Sequence, residues 1–169
     1  DQIIEEFGDQ IRFEYKHYPL TQIHPYAEAA AVAAEAAGQQ GQFFAYHDLL
    51  FDRIGEWSNP SAGAFFDQYA EELGLDMELF DRHQSSSLLK DKVVDEAREA
   101  RAQGFSGTPT FTLNGQRITY QGYDSLRVAI ANELGVDLSA AAAQVEASDD
   151  TKETIENVNE DTVGEATTE

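Results

Sequence analysis

The stretch Ser-Gly-Thr-Pro-Thr-Phe-Thr-Leu-Asn-Gly, residues 106–115, decides how this sequence is interpreted. Its threonines alternate with apolar side chains, which is the period-two pattern of a strand with one apolar face. Asn114-Gly115 favours a two-residue hairpin turn, because both central residues of a type I′ turn need positive φ. Pro109 stands at the first position of the strand, where a missing N–H is tolerated. The pattern predicts a β-hairpin over residues 109–120.

Composition limits the classes of function that the chain can have. It has 169 residues, of which 32 are acidic and 11 basic, and its formal net charge of −21 disfavours nucleic acid and anionic membrane surfaces as partners. There is no cysteine, so the chain has no disulfide, thiolate nucleophile or cysteine-based metal site. The four histidines show no metal-ligand spacing. We expect no metal and no cofactor.

Apolar periodicity predicts a mostly helical chain with short strands. Residues 1–8 are predicted as the end of a helix, and residues 10–16, which alternate apolar and charged side chains, as a strand with one wet face. Further helical segments are predicted over residues 26–37, 42–54, 59–73, 76–82 and 85–103, and a last helix capped by Asp124 follows the hairpin. The final residues, 139–169, carry nine acidic residues and one lysine without any aromatic, which is typical of a disordered acidic tail.

For two of these helices the sequence also predicts which residues face outward and which are buried. In the alanine-rich segment 26–37, Glu28 and Glu35 lie two turns apart and are predicted on the outer face. In the segment 42–54, the buried stripe is predicted to be Phe43, His47, Leu50 and Ile54.

The order of these elements resembles the DsbA-like thioredoxin family, a branch of disulfide oxidoreductases with a helical insert. The resemblance covers roughly residues 1–136 and lies in the segments 13–20, 24–25, 42–51, 69–75 and 104–115. It implies an α/β, thioredoxin-like domain over residues 1–138, with the helical insert at about residues 24–104.

The resemblance also implies a site. In this family a Cys-x-x-Cys at the start of the first helix exchanges disulfides with substrate proteins, and a cis-proline loop beside it pairs with the substrate backbone. Pro109 matches that proline, so that Gly107, Thr108 and Pro109 are the expected substrate-binding residues. The alternative for this segment is a simple turn. No residue of the chain matches a catalytic position of the family.

The chain departs from the family at its start. The first strand, the Cys-x-x-Cys and the beginning of the first helix are missing, and that strand is central in a thioredoxin-type sheet. Leaving its neighbours unpaired would cost about 1–3 kcal/mol for each buried backbone group. We therefore expect an N-terminally truncated form of a longer protein; the alternatives are a strand supplied by another chain or a rearranged sheet.

The resemblance implies that the parent protein is an extracytoplasmic thiol–disulfide oxidoreductase, located in the periplasm, the cell envelope or outside the cell. Its partners would be substrate proteins or extended peptides and a membrane redox partner, with no nucleic acid. One alternative is a redox-inactive thioredoxin-fold module that binds peptides at Pro109. Another is a relative that acts on small molecules with glutathione, although no residue marks a pocket for that thiol.

Overall fold

The computed structural model describes residues 2–138, so the predicted acidic tail, residues 139–169, lies outside the described residues. The chain divides into two compact units. The helical unit comprises Glu14–Pro109, and the hairpin unit comprises residues 1–13 and 110–169, of which residues 2–13 and 110–138 are described.

In chain order, the elements of residues 2–138 are α1 (Gln2–Phe7), α2 (Ala27–Gly38), α3 (Phe43–Asp52), α4 (Ile54–Trp57), α5 (Ala62–Glu72), α6 (Met77–Gln84), α7 (Ser87–Ala102), β1 (Phe111–Leu113), β2 (Gln116–Ile118) and α8 (Tyr123–Leu134). The predicted helices therefore exist, with ends displaced by a few residues. The exception is the segment 42–54, which forms α3 and then, after Arg53, the short α4.

The helical unit is built around α2, which contacts α3, α5, α6 and α7. Its many alanines let neighbouring helices approach closely, and Ala33, Ala36 and Ala37 are completely buried. Large aromatic side chains fill the space around this small-residue helix; those buried most completely are Tyr46, Phe66, Tyr69 and Phe80.

The predicted stripe of α3 is wrong in part. Tyr46 and Leu50 are the buried residues of the helix, whereas Ile54 is 46% exposed. A tyrosine enters the core here because its hydroxyl donates a hydrogen bond of 2.8 Å to the carbonyl oxygen of Phe66. His47 is only half-buried and lies against the rings of Tyr15 and Phe51, so it belongs to the surface rather than to the core.

The hairpin unit contains the predicted β-hairpin, but its strands cover only Phe111–Leu113 and Gln116–Ile118, so the prediction that Pro109 begins the strand is wrong. Strands β1 and β2 are antiparallel, with Phe111 opposite Ile118. Asn114 has a φ of 48° and Gly115 a φ of 78°, as a type I′ turn requires, which confirms the prediction from the Asn-Gly pair. In the same unit α1 contacts α8, and the small core consists of Phe7, Ile130 and Ala131 with apolar side chains around them.

Helix α8 begins differently from the prediction. Asp124 is not the N-cap; that position belongs to Gly122, whose φ is 103°. The hydroxyl of Ser125 accepts a hydrogen bond from the backbone N–H of Gln121 and donates one to the carbonyl of Gly122. The serine therefore organises the turn before the helix.

The predicted strand over residues 10–16 is wrong. Within residues 2–138 the sheet contains only β1 and β2, and residues 11–20 have no regular secondary structure. A strand exists only when a neighbour accepts its backbone hydrogen bonds. The predicted alternation of buried and exposed side chains is seen only in part. Tyr15 is half-buried and His17 is buried, but Phe13 is 46% exposed.

Candidate functional site

The loop Gly107–Pro109 follows α7 and precedes β1 along the chain. Gly107 is half-buried, whereas Thr108 and Pro109 are exposed. The peptide bond between Thr108 and Pro109 is cis, as the resemblance implied. Before the loop, the carbonyl of Phe105 accepts a 3.0 Å hydrogen bond from the hydroxyl of Tyr18, which fixes the end of the α7 connection.

The chemistry available in this loop is that of the polypeptide backbone. Proline has no N–H, so the donor on Thr108 and the carbonyl oxygens around it are the groups that another extended chain would meet. Added strands bind in this way, with main-chain hydrogen bonds giving affinity and side-chain pockets giving specificity. The loop itself contains no thiol, imidazole or carboxylate.

A second polar site lies inside the helical unit, where the sequence indicated none. His17 and Glu35 are 4% and 6% exposed, and the Nε2 atom of His17 lies 2.9 Å from Oε1 of Glu35. Lys92 Nζ lies 2.7 Å from the same oxygen. The backbone N–H of His17 donates a 2.7 Å hydrogen bond to Oε2 of Glu96, which lies one turn after Lys92 on α7.

The prediction that Glu35 lies on the outer face of α2 is therefore wrong. Its neighbours on both sides, Ala31–Ala34 and Ala36–Ala37, are buried as well, so almost the whole second half of α2 is covered. The available signal was the run of alanine and valine on both sides of Glu35, since a helix that is apolar all round is a buried one. The partners of Glu35 were not predictable, because Lys92 lies 57 residues away.

The electrostatics of this network follow from its geometry. Burial raises the pKa of Glu35, but the hydrogen bonds from His17 and Lys92 and their charges outweigh it and hold the pKa below its ordinary value. The pKa of the nearby Tyr15 hydroxyl is raised by burial, and further by the carboxylates of Glu96 and Glu35. Within the described residues, no group of three histidine or carboxylate side chains is arranged to hold a metal ion.

An open cleft of about 300 Å³ lies above the network. It is lined by Tyr15, Glu35, Gly38, Gln39, Phe43 and Lys92, all of which belong to the helical unit. The cleft thus lies beside the buried pair of His17 and Glu35, whose partner Lys92 is itself 46% exposed.

Comparison with known proteins establishes the class. A family model described as Thioredoxin matches residues 2–132, so the chain belongs to a thioredoxin-fold family. The coarse α/β prediction is consistent with this, although the described residues are mostly helical with one two-stranded sheet. No helix within residues 2–138 combines the length and the apolar character that crossing a membrane requires.

The chain is also similar to several sodium/proton antiporters of bacteria. Na(+)/H(+) antiporter NhaA 1 of Salinispora arenicola is 43% identical over 107 residues, which is 63% of this chain and 16% of the relative. The NhaA 1 protein of Mycolicibacterium vanbaalenii is 38% identical over 122 residues, 69% of this chain and 19% of the relative. The NhaA protein of Herminiimonas arsenicoxydans is 34% identical over 133 residues.

The chain thus spans at most about a fifth of the length of these relatives. No solved structure gave a significant match.

Proposed function

We propose that this chain is the body of a DsbA-like thiol–disulfide oxidoreductase, in which the loop Gly107–Pro109 holds the backbone of extended substrate proteins. The observation that carries the proposal is the exposure of Thr108 and Pro109 immediately before a strand in a thioredoxin-fold chain. Thr108 is an exposed residue that has a backbone N–H, and Pro109 after it has none. This arrangement suits main-chain pairing with one extended segment.

In this proposal the chain binds the substrate, and another part of the parent protein carries the redox cysteines. The chain has no cysteine, so it supplies no sulfur to the exchange. The redox pair of the parent protein would form a Cys-x-x-Cys ahead of Asp1, at the start of the helix that ends as α1. The loop would contribute by orientation, since holding a substrate disulfide in line with a thiolate removes much of the entropic cost of the encounter.

The same proposal includes a location and partners. The parent protein would act outside the cytoplasm, in the periplasm, the cell envelope or the medium, where protein disulfides persist. Its substrates would be unfolded or extended polypeptides, and a membrane redox partner would return the cysteine pair to its active oxidation state.

Two measurements test the enzyme proposal. The coding sequence upstream of Asp1 should contain a Cys-x-x-Cys within about 15 residues, the distance that places it at the start of the first helix. The extended protein should catalyse insulin reduction or disulfide formation, whereas the cysteine-free chain that begins at Asp1 should not. An upstream sequence without such a pair would contradict the enzyme proposal.

Variants of Thr108 test the loop in that extended protein. Thr108→Pro removes the backbone donor and should weaken binding of carboxymethylated insulin B chain, an extended probe without free thiols, by about tenfold. Thr108→Val is the matched control, since it changes the side chain and keeps the N–H. Equal affinities of the two variants would show that the Thr108 backbone does not pair with the peptide.

The zero cysteine count favours a second candidate, a redox-inactive module that binds peptides at the same loop. In that case the B chain still binds, Thr108→Pro still weakens it, and no disulfide exchange accompanies binding in any form of the protein. The upstream sequence therefore separates this candidate from the oxidoreductase, while the Thr108 variants test what the two have in common.

The antiporter relatives favour a further possibility for the parent protein, in which this chain is a thioredoxin-fold part of a sodium/proton antiporter. An antibody against the chain should then detect a protein about four times its length, because the 107 and 133 aligned residues make up 16% and 20% of those relatives, whereas this chain has 169 residues. Detection of a protein close to the length of the chain alone would exclude this arrangement.

A further inference from the structure

The cleft of the helical unit is large enough to admit a small molecule. Its volume of about 300 Å³ is at the lower end of the range for pockets that hold small molecules. It combines two aromatic rings, an amide, a carboxylate and an ammonium group. None of its residues belongs to the loop Gly107–Pro109, so a ligand in the cleft would be independent of the proposed function.

The floor of the cleft carries a carboxylate with an unused acceptor. The side chain of Glu35 is only 7% exposed, and its hydrogen bonds within the described residues, from His17 and Lys92, both go to Oε1. A carboxylate accepts about four hydrogen bonds over its two oxygens. Oε2 is thus available to an N–H donor that enters the cleft.

Aromatic rings form one wall. The centroids of Tyr15 and Phe43 lie 5.2 Å apart, with their planes tilted by 59°. Gly38 keeps the Phe43 side chain close to α2, since a Cβ at position 38 would lie 3.3 Å from the Cβ of Phe43. Ring faces carry negative electrostatic potential and attract organic cations.

The fixed charges around the cleft favour a cation over an anion. Lys92 is positive, but its Nζ lies 2.7 Å from Oε1 of Glu35 and is compensated by it. Glu96 adds a second carboxylate, which accepts the backbone N–H of His17, so that two carboxylates and only one ammonium group surround the imidazole. The raised pKa of Tyr15, caused by burial and by these two carboxylates, reflects the same negative surroundings.

We infer that the cleft binds a small organic cation, a primary ammonium or guanidinium group joined to an apolar body. The cationic N–H groups donate to Glu35 Oε2, and the apolar part lies against Tyr15 and Phe43. Gln39 offers an amide at the rim.

A set of three probes of one shape tests the charge preference. The full chain, labelled with ¹⁵N, is titrated with benzylammonium, benzyl alcohol and benzoate. Benzylammonium should shift the amide signals of Gly38, Gln39 and Phe43 in a saturable way. Benzyl alcohol should bind at least about tenfold more weakly, since it lacks the charge, and benzoate should bind more weakly still. Equal affinities for the three probes, or strongest binding of benzoate, would overturn the inference.

Two variants of the same helix test the anchor. Glu35→Gln should reduce benzylammonium affinity by about tenfold. Glu28→Gln removes the same charge from α2 at a part-exposed carboxylate 3.8 Å from Lys90, and should change the affinity by less than about twofold. Equal losses in both variants would mean that only the general charge of the chain attracts the probe.

A third variant keeps the inference testable if Glu35→Gln disturbs the fold, which circular dichroism would reveal. Phe43→Leu keeps an apolar side chain and removes the aromatic face, so it should weaken benzylammonium by about threefold while leaving benzyl alcohol less affected. Unchanged benzylammonium binding in Phe43→Leu would show that the aromatic ring of Phe43 does not contribute to the site.

Discussion

The two units of the molecule are stabilised in different ways. The main cluster of the helical unit contains thirteen buried residues, five of them on α2, whereas the corresponding cluster of the hairpin unit contains Phe7, Ile130 and Ala131. The smaller unit adds polar contacts, in which Glu6 accepts hydrogen bonds from Arg127 and Tyr123. Because stability follows the apolar surface that each unit buries, it should differ between them. Substitutions in each unit can test that difference.

The largest loss of stability is expected in the helical core. Phe80 on α6 is completely buried beside Tyr46, with ring centroids 5.8 Å apart. Phe80→Ala should lower the free energy of unfolding by about 3–5 kcal/mol, because it removes apolar contacts and leaves a cavity. Phe51→Ala, at a side chain 61% exposed on α3, is the control and should cost less than about 0.5 kcal/mol. Urea unfolding followed by circular dichroism measures both, and similar losses would contradict the assigned core.

A smaller and more local loss is expected in the hairpin unit. Ile130→Ala removes one of the three residues of its buried cluster and should cost about 2–4 kcal/mol. Amide hydrogen exchange should accelerate in α8 and α1 while the amides of α2 keep their protection. Equal acceleration in α2 would show that the two units unfold as one cooperative body.

Local sequence signals predicted much of the fold. Asn114-Gly115 predicted its turn because both residues readily adopt the positive φ that a type I′ turn needs, and Asp76 marks the start of α6, where its side chain accepts the N–H of Leu79. The strand over residues 10–16 was wrong because alternation describes the faces of a segment and not whether a neighbour pairs with it. Hydrogen bonds between residues far apart in sequence, such as His17 to Glu35 or Tyr46 to Phe66, decide which polar groups are buried.

The two candidate sites also differ in whether a local sequence signal or contacts between distant residues define them. The proline loop was identified by its resemblance to a family motif, and its Thr108–Pro109 bond is cis, as that resemblance implied. The cleft at Glu35 was not predicted, because it forms only where α2, α3 and α7 contribute side chains to one place. The alternation of residues 10–16 nevertheless placed Tyr15 on an apolar face, and Tyr15 lines that cleft.

The buried carboxylate of Glu35 should make the stability of the helical unit depend on pH. Glu35→Gln should cost about 1.5–3 kcal/mol at neutral pH, since the hydrogen bonds of His17 and Lys92 to a charged carboxylate are lost. The pKa of Glu35 is held below its ordinary 4.5, so its stabilisation is present above about pH 4.5 and is lost as the pH falls through the lowered pKa. The difference in unfolding free energy between the wild type and Glu35→Gln should therefore shrink below pH 4.5. A difference independent of pH would show that the charge of Glu35 does not stabilise the fold.

The smallest effect is expected for the polar contacts of the hairpin unit. The hydrogen bond from Arg127 lowers the pKa of Glu6, burial opposes it, and the hydrogen bond from the Tyr123 hydroxyl adds to the lowering. Glu6→Gln should destabilise the unit less than Ile130→Ala, because the side chains of Glu6 and Arg127 are each about a quarter exposed. High salt should reduce the effect further in thermal unfolding curves. A loss of stability in Glu6→Gln larger than that in Ile130→Ala would show that the polar contacts stabilise this unit more than its apolar core does.

The central proposal is that the loop Gly107–Pro109 holds an extended polypeptide, and the most direct test locates that contact on the chain itself. Carboxymethylated insulin B chain is titrated into the ¹⁵N-labelled chain, and the amide signals are followed. We expect the largest shifts at Gly107 and Thr108, in the wild type and in Thr108→Val, with much weaker binding in Thr108→Pro. Binding without any change at Gly107 and Thr108, or equal binding in all three forms, would contradict the proposal.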